Sequence, residues 1–216
     1  MTTKTFFSIL LLSAVIFVFS ACNDVVEPAV PSIPYVPASL DGIEIAGIRW
    51  ATRNVDAPGT FAESPESAGM FYQWNRRVGW SATNPLINSN GGTTWNTSIP
   101  DGTKWEREND PCPEGWRVPT QQELQSLNNL GSIWGMYNGV RGRLFGTAPN
   151  QIFLPAVGFR LGSNGAFSNS EFHDGSIWAV EQYTHERAMH LWFTNGYSRV
   201  VTFWRAAGLS VRCVAK

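Results

Sequence analysis

Acid–base chemistry in this chain would have to come from three histidines and a scatter of carboxylates. His173 stands beside Asp174 in the stretch EFHDG, and Glu171 lies three residues before that acid. A nucleophilic triad also needs a serine or cysteine in reach, and no nucleophile-elbow motif occurs. Glu171 and Asp174 could form the carboxylate pair of a glycoside hydrolase, but nothing in their spacing demands it. No phosphate-binding loop, dinucleotide fingerprint or zinc-protease motif is present. The chain therefore reads as a protein that is not an enzyme and uses no cofactor.

Binding chemistry fits better. Sugars present C–H faces that lie well on aromatic rings, and their hydroxyls need polar side chains at the rim. Residues 75–110 supply both, in Trp80, Trp95 and Trp105 among Asn84, Asn88, Asn90 and Asn96. A long irregular stretch in a compact domain is usually functional or disordered, and three tryptophans argue for order. Ligand contact is expected at Trp80, Trp95, Asn96 and Trp105. The competing reading is that tryptophans in such a stretch pin it to the core; Trp105, close to Cys112, fits that role too.

Those residues need a scaffold and an address. Lys4 and the apolar run 6–19 have the pattern of an export signal. The run ends in Phe19-Ser20-Ala21-Cys22, which resembles the lipobox of bacterial lipoproteins. That resemblance implies cleavage before Cys22 and lipidation of Cys22. Several acyl chains anchor stably, because each buried methylene contributes about 0.8 kcal/mol. Asn23, Asp24 and Glu27 resemble the surface-export signal of some Gram-negative lipoproteins. The expected location is the outer membrane, facing the cell surface.

Prolines 28, 31, 34 and 37 recur every third residue, the period of polyproline II. Residues 22–40 are therefore expected to be a stiff lipid-anchored tether, its eighteen residues after Cys22 reaching roughly 55 Å at about 3.1 Å each. One domain, 41–216, would follow. Hydrophobic residues at 43% are enough for a packed core. Without residues 1–21 the chain has 15 basic and 17 acidic residues, scattered, so nucleic acid is not an expected partner.

Cys112 and Cys213 remain for the exported domain. In an oxidising compartment two such thiols usually pair. The alternatives are two free thiols or a metal pair, and two cysteines with no neighbouring histidine make a poor zinc site. Pro111 and Pro113 fix φ on both sides of Cys112. Thr120 with Glu123 forms a capping box after Pro119, and Leu124, Leu127 and Leu130 give a helical stripe ended by Gly131. Residues 188–204 read as a hairpin with Asn195-Gly196 as part of the connection. The last stretch alternates, with Leu209, Val211 and Cys213 on one side and Ser210, Arg212 and Val214 on the other. The fold class is α+β: one or two helices, then mostly strands.

The pieces IAGIRWATRNV, GMFYQWNR, NDPCPEGWRVPTQQEL, FLPAVGFR and GLSVRCV together resemble the Fibrobacter succinogenes major paralogous domain, over residues 43–216. That domain is similar to the C-type-lectin-like superfamily, which includes the formylglycine-generating enzymes. The shared features are Gly115, Arg117, Pro119 and Thr120 leading into a helix, and the ending Arg212-Cys213-Val214. The resemblance implies twisted antiparallel sheets with long loops. Formylglycine-generating enzymes hold copper with a reactive thiol pair; here both domain cysteines have structural places, so oxidase chemistry is not expected. Calcium-dependent lectins use acids that Thr83-Asn84-Pro85 and Trp95-Asn96-Thr97 lack, so no metal is expected. The expected function is a non-catalytic cell-surface lipoprotein with a lectin-like domain, its partner a glycan or a surface protein. The alternative is a structural or accessory subunit of a surface assembly such as a pilus or adhesin.

Overall fold

The computed structural model describes residues 29–37, 39, 42–168 and 174–216. The expected signal peptide, Cys22, Glu171 and His173 lie outside them.

The domain is a set of small antiparallel sheets with a single α-helix among the described residues. Strands β1 (Ile43–Ile45) and β2 (Ile48–Trp50) form a hairpin through Ala46-Gly47. Strands β3 (Met70–Gln73) and β4 (Gly79–Ser81) follow, then β5 (Trp116–Arg117) and helix α1 (Gln121–Asn129). Strands β6 (Ser132–Tyr137), β7 (Val140–Thr147) and β8 (Asn150–Pro155) make a meander. After β9 (Phe159–Arg160) and β10 (Phe167–Ser168) come the long strands β11 (Gly175–Gln182), β12 (Arg187–Phe193) and β13 (Ser198–Trp204). The chain closes with β14 (Gly208–Leu209) and β15 (Val214–Ala215). The sheet orders are β1-β2-β15-β5, β10-β9-β14-β3-β4, β11-β12-β13 and β6-β7-β8.

The capping box forms as the sequence indicates. Thr120 Oγ1 accepts from the Glu123 N–H at 3.1 Å, and the Thr120 N–H donates to Glu123 Oε2 at 2.7 Å. Glu123 also pairs with Arg117 at 2.6 Å. Burial pushes the Glu123 carboxyl up, and the Arg117 and Thr120 contacts more than offset this, so its pKa lies below the usual value. Leu124 and Leu127 are buried against β12 and β13. Leu130 is exposed, because the helix stops before it and it serves as the C-cap.

The terminal stretch differs from a single two-sided strand. Its two ends belong to different sheets, β14 beside β3 and β15 between β2 and β5. A segment spanning two sheets is covered on both sides, so Ser210 and Arg212 are as buried as Leu209 and Val211. Arg212 satisfies that burial with bonds to Asn54 Oδ1 at 2.9 Å and the Phe153 carbonyl at 3.1 Å. Burial pushes its guanidinium down to about 9. Next to it, Cys213 is bonded to Cys112, across 101 residues of sequence, with the Cα atoms 6.1 Å apart. The disulfide lies in a cluster with Trp74, Trp105, Val118 and Trp178.

The tether expectation needs correction. Residues 31–35 are part of the domain. The Ile33 N–H donates to the Met136 carbonyl and the Met136 N–H to the Pro31 carbonyl, both at 2.8 Å, which adds a short parallel bridge beside β6. Ile33 and Tyr35 are buried on Leu144, Phe153 and Tyr137, while Ser32, Pro34 and Val36 face outward. Burial thus has period two, the strand period, although the prolines have period three. Gly135 permits the approach: a Cβ there would come within 2.3 Å of Ile33 Cγ1. The apolar gain from Ile33 and Tyr35 outweighs the extended, solvated alternative.

Candidate functional site

The tryptophans of residues 75–110 do not form an exposed platform. Trp80, Trp95 and Trp105 are 3%, 7% and 6% exposed. Trp80 packs on Trp95 with centroids 4.8 Å apart, and Trp105 packs on Trp74 at 6.1 Å. Trp95 Nε1 donates to the Gly162 carbonyl at 3.2 Å, and Trp105 Nε1 to the Asn109 carbonyl at 2.9 Å. Trp95 lies against two glycines: a Cβ at Gly165 or Gly208 would approach its ring within 2.7 or 2.9 Å. Asn96 is exposed, but its side-chain oxygen accepts from the Ser98 N–H and hydroxyl at 3.0 and 2.8 Å. These four positions stabilise the loop. The competing core reading prevails for the three rings because a segment with so little sheet pairing must be held by side chains.

Buried polar side chains do much of that holding. Arg205 donates to the carbonyls of Pro100, Asp101 and Gly102 and, at 2.8 Å, to that of His185. Arg160 donates to the carbonyls of Ser81 and Gly165, both at 2.7 Å, and to that of Thr83 at 2.5 Å. Gln73 Nε2 reaches the Asn96 carbonyl at 2.6 Å and the Ala206 carbonyl at 2.7 Å. The planar, five-donor guanidinium suits this work, because one fork satisfies several carbonyls that have no ladder partner.

The loop held in this way forms one wall of a groove of about 400 Å³. Thr97 and Ile99 come from that wall, Leu161 and Ser163 from the β9–β10 connection, and Glu186 and Trp204 from the open end of the β12–β13 pair. Trp204 is 46% exposed. The Arg187 guanidinium carbon sits 4.1 Å from its ring centroid. The groove therefore offers an aromatic ring with two hydroxyls and a carboxylate around it. Gln73 ties its two sides together through Asn96 and Ala206, and Arg205 anchors the segment behind it. The sequence marks 188–204 only as a hairpin and does not single out Trp204. The legible signal was a tryptophan at a strand end with a charged residue on each side of the hairpin mouth.

A larger cleft, about 830 Å³, lies beside the disulfide and is lined by Arg77, Lys104, Arg107 and Lys216 together with Glu106 and Glu114. Its inner carboxylate, Asp110, accepts from the Cys112 N–H at 2.9 Å and the Val118 N–H at 3.1 Å. Burial pushes that carboxyl up, against the pull of the two N–H groups. Both oxygens hold the Cys112 turn, so this carboxylate is structural.

Comparison with models of known families, with curated proteins and with solved structures finds no match for the chain. The site therefore rests on its own geometry. That geometry also bears on catalysis. Asp174, Ser176 and His190 line one pit of about 360 Å³. Among the described residues no hydrogen bond joins them as a triad: Asp174 Oδ2 accepts from Trp192 Nε1 at 3.3 Å, and His190 Nδ1 has no hydrogen-bond partner there. Burial pushes the His190 imidazole down to about 3, far below the range of an efficient general base at neutral pH. Among the described residues, no three His, Cys, Asp or Glu side chains cluster as metal ligands would.

Proposed function

We propose that this protein is a non-catalytic, lipid-anchored surface protein whose domain binds glycan in the Trp204 groove. The observation that carries the reading is Trp204 itself, half exposed between the Thr97, Ser163 and Glu186 side chains on a backbone locked from behind. Such a groove has the ring for a sugar's C–H face and the polar rim for its hydroxyls, already ordered before any ligand arrives. The domain is assigned to the Fibrobacter succinogenes major paralogous family, in the C-type-lectin-like superfamily. That assignment draws support from the GWRVPT motif, which builds β5 and the turn into α1, and from SVRCV, which carries the second half-cystine.

The anchor is placed at Cys22, in the outer membrane and facing the cell surface. With Pro31 docked on the domain, the nine steps from Cys22 to Pro31, at about 3.1 Å each, reach roughly 28 Å, half the span of a free tether to residue 40. The domain would ride close to the membrane.

The test is retention on a broad polysaccharide array by the wild type and by Trp204→Ala. Retention lost in the variant, with an unchanged thermal midpoint, supports the reading. Retention by neither protein on any polysaccharide rejects it.

One observation favours the accessory-subunit alternative. Among the described residues, β13 is a seven-residue strand at the edge of its sheet. Exposed edges can accept a strand from a partner chain. Co-purification of a stoichiometric partner from gently solubilised membranes would favour it, and a solitary monomer would count against it.

A further inference from the structure

Residues directly opposed on antiparallel strands share a face of the sheet. The pairs Trp192–Arg199, His190–Val201 and Ala188–Phe203 therefore put Trp192, Arg199, Val201 and Phe203 on one side of the β12–β13 pair. The other side carries Met189, Leu191 and Val200, which pack in the core with Leu124 and Leu127 of α1. Phe159 of β9 meets Phe203 edge-on at 5.1 Å and adds a further wall to the first side. The space so bounded is the pit of about 360 Å³, within the size range of small-molecule sites. Nothing in the binding scheme above uses it.

Exposure decides which side chains a ligand could reach. Asp174, Ser176 and His190 are buried and offer little surface. Asp174 is also engaged, by Trp192 Nε1 at 3.3 Å and by a further partner. Phe159, Trp192, Val201, Thr202 and Phe203 are half-buried, so the reachable wall is apolar but for one hydroxyl.

Arg199 is the exposed member of the lining. Its guanidinium carbon lies 5.0 Å from the ring centroids of both Trp192 and Tyr197, and those two rings meet edge-on at 5.2 Å. The rings hold the cation in place, yet no hydrogen bond or ion pair joins its guanidinium to another described residue. Its planar fork of N–H donors is thus preset and free, the geometry that a carboxylate accepts bidentately. Trp192 meets this base on its face and Asp174 at its indole N–H, so the ring stands between the two charges. An apolar pit beside a free, oriented guanidinium complements a molecule with an apolar body and an acidic end.

We propose that this pit is a second binding site, for a small aromatic carboxylate, its ring against Trp192, Val201 and Phe203 and its carboxylate paired with Arg199. The inference stands apart from the glycan reading of the groove, and each holds or fails without the other.

The experiment titrates the full chain with phenylacetate and indole-3-acetate, with benzyl alcohol as the ring without the charge and acetate as the charge without the ring. The readout is the Trp192 indole N–H resonance. Both aromatic acids are expected to move it saturably, and in Trp204→Ala as in the wild type. Arg199→Ala, at an exposed position, is expected to weaken them tenfold or more, the effect of losing a hydrogen-bonded charge. Val201→Trp, which fills the pit, is expected to abolish binding; if that variant does not fold, Arg199→Ala decides. The proposal is overturned if neither acid moves the resonance, if benzyl alcohol or acetate binds as tightly, if Arg199→Ala binds as the wild type does, or if Trp204→Ala abolishes the shift.

Discussion

Arg187 lies across the ring of Trp204, its guanidinium carbon 4.1 Å from the ring centroid, where the two residues face each other on β12 and β13. The pair sets the pose of the one half-exposed tryptophan in the groove. An exposed cation–π contact is worth about 0.5–1 kcal/mol. Arg187→Ala should therefore lower stability by no more than about 1 kcal/mol in urea while weakening polysaccharide retention through a less ordered ring. Retention as in the wild type would show that Arg187 does not position Trp204.

The Cys112–Cys213 bond closes a loop of about the size for which the chain-entropy model gives about 4.7 kcal/mol. Strain and residual unfolded structure usually reduce that figure. The double variant Cys112→Ser, Cys213→Ser should lose about 2–5 kcal/mol of unfolding free energy by urea titration. The native protein, isolated without reductant, should react with iodoacetamide at neither position until it is reduced.

Ile33 and Tyr35 belong to the core cluster around Leu144 and Phe153. Truncating a buried aliphatic or aromatic side chain costs about 2–5 kcal/mol. Ile33→Ala is expected at the lower end of that range, by urea denaturation. Removal of residues 29–40 should lower the thermal midpoint and expose apolar surface to a hydrophobic dye. A midpoint unchanged by that deletion would restore residues 31–35 to the tether.

His190 makes stability depend on pH. Its folded pKa, about 3, lies below the ordinary value of 6.5, so the unfolded chain binds the proton first as pH falls. The stability associated with the neutral imidazole is complete above pH 6.5 and is lost as the pH falls from there towards 3. The slope contributed is at most about 1.4 kcal/mol per pH unit. Glu123, with its lowered pKa, loses stability in the same direction at lower pH, so the comparison must be made against a variant. His190→Phe should flatten the wild-type curve between pH 6 and pH 5, a region above the ordinary carboxylate range. Parallel curves there would contradict a buried neutral His190.

The sequence by itself determined the features that depend on near neighbours. The α1 start follows from Pro119, Thr120 and Glu123, whose bonds close within four residues. The β12–β13 hairpin follows from apolar strands around a turn-forming Asn195-Gly196. Pairing of Cys112 with Cys213 was also legible, because the expected export to an oxidising compartment leaves two domain cysteines few other ends. Only the tertiary structure decided which aromatic rings face solvent. Trp95 and Trp204 are both tryptophans among polar residues, yet one is pressed between Gly165 and Gly208 and the other stands at a sheet margin. It also decided that Ile33 and Tyr35 dock rather than extend, and that the last stretch is covered on both faces. Burial depends on what distant segments arrive alongside a residue. In a domain whose loops are tied by Arg160, Arg205 and Arg212 reaching carbonyls 59 to 161 residues away, no local pattern encodes that arrival.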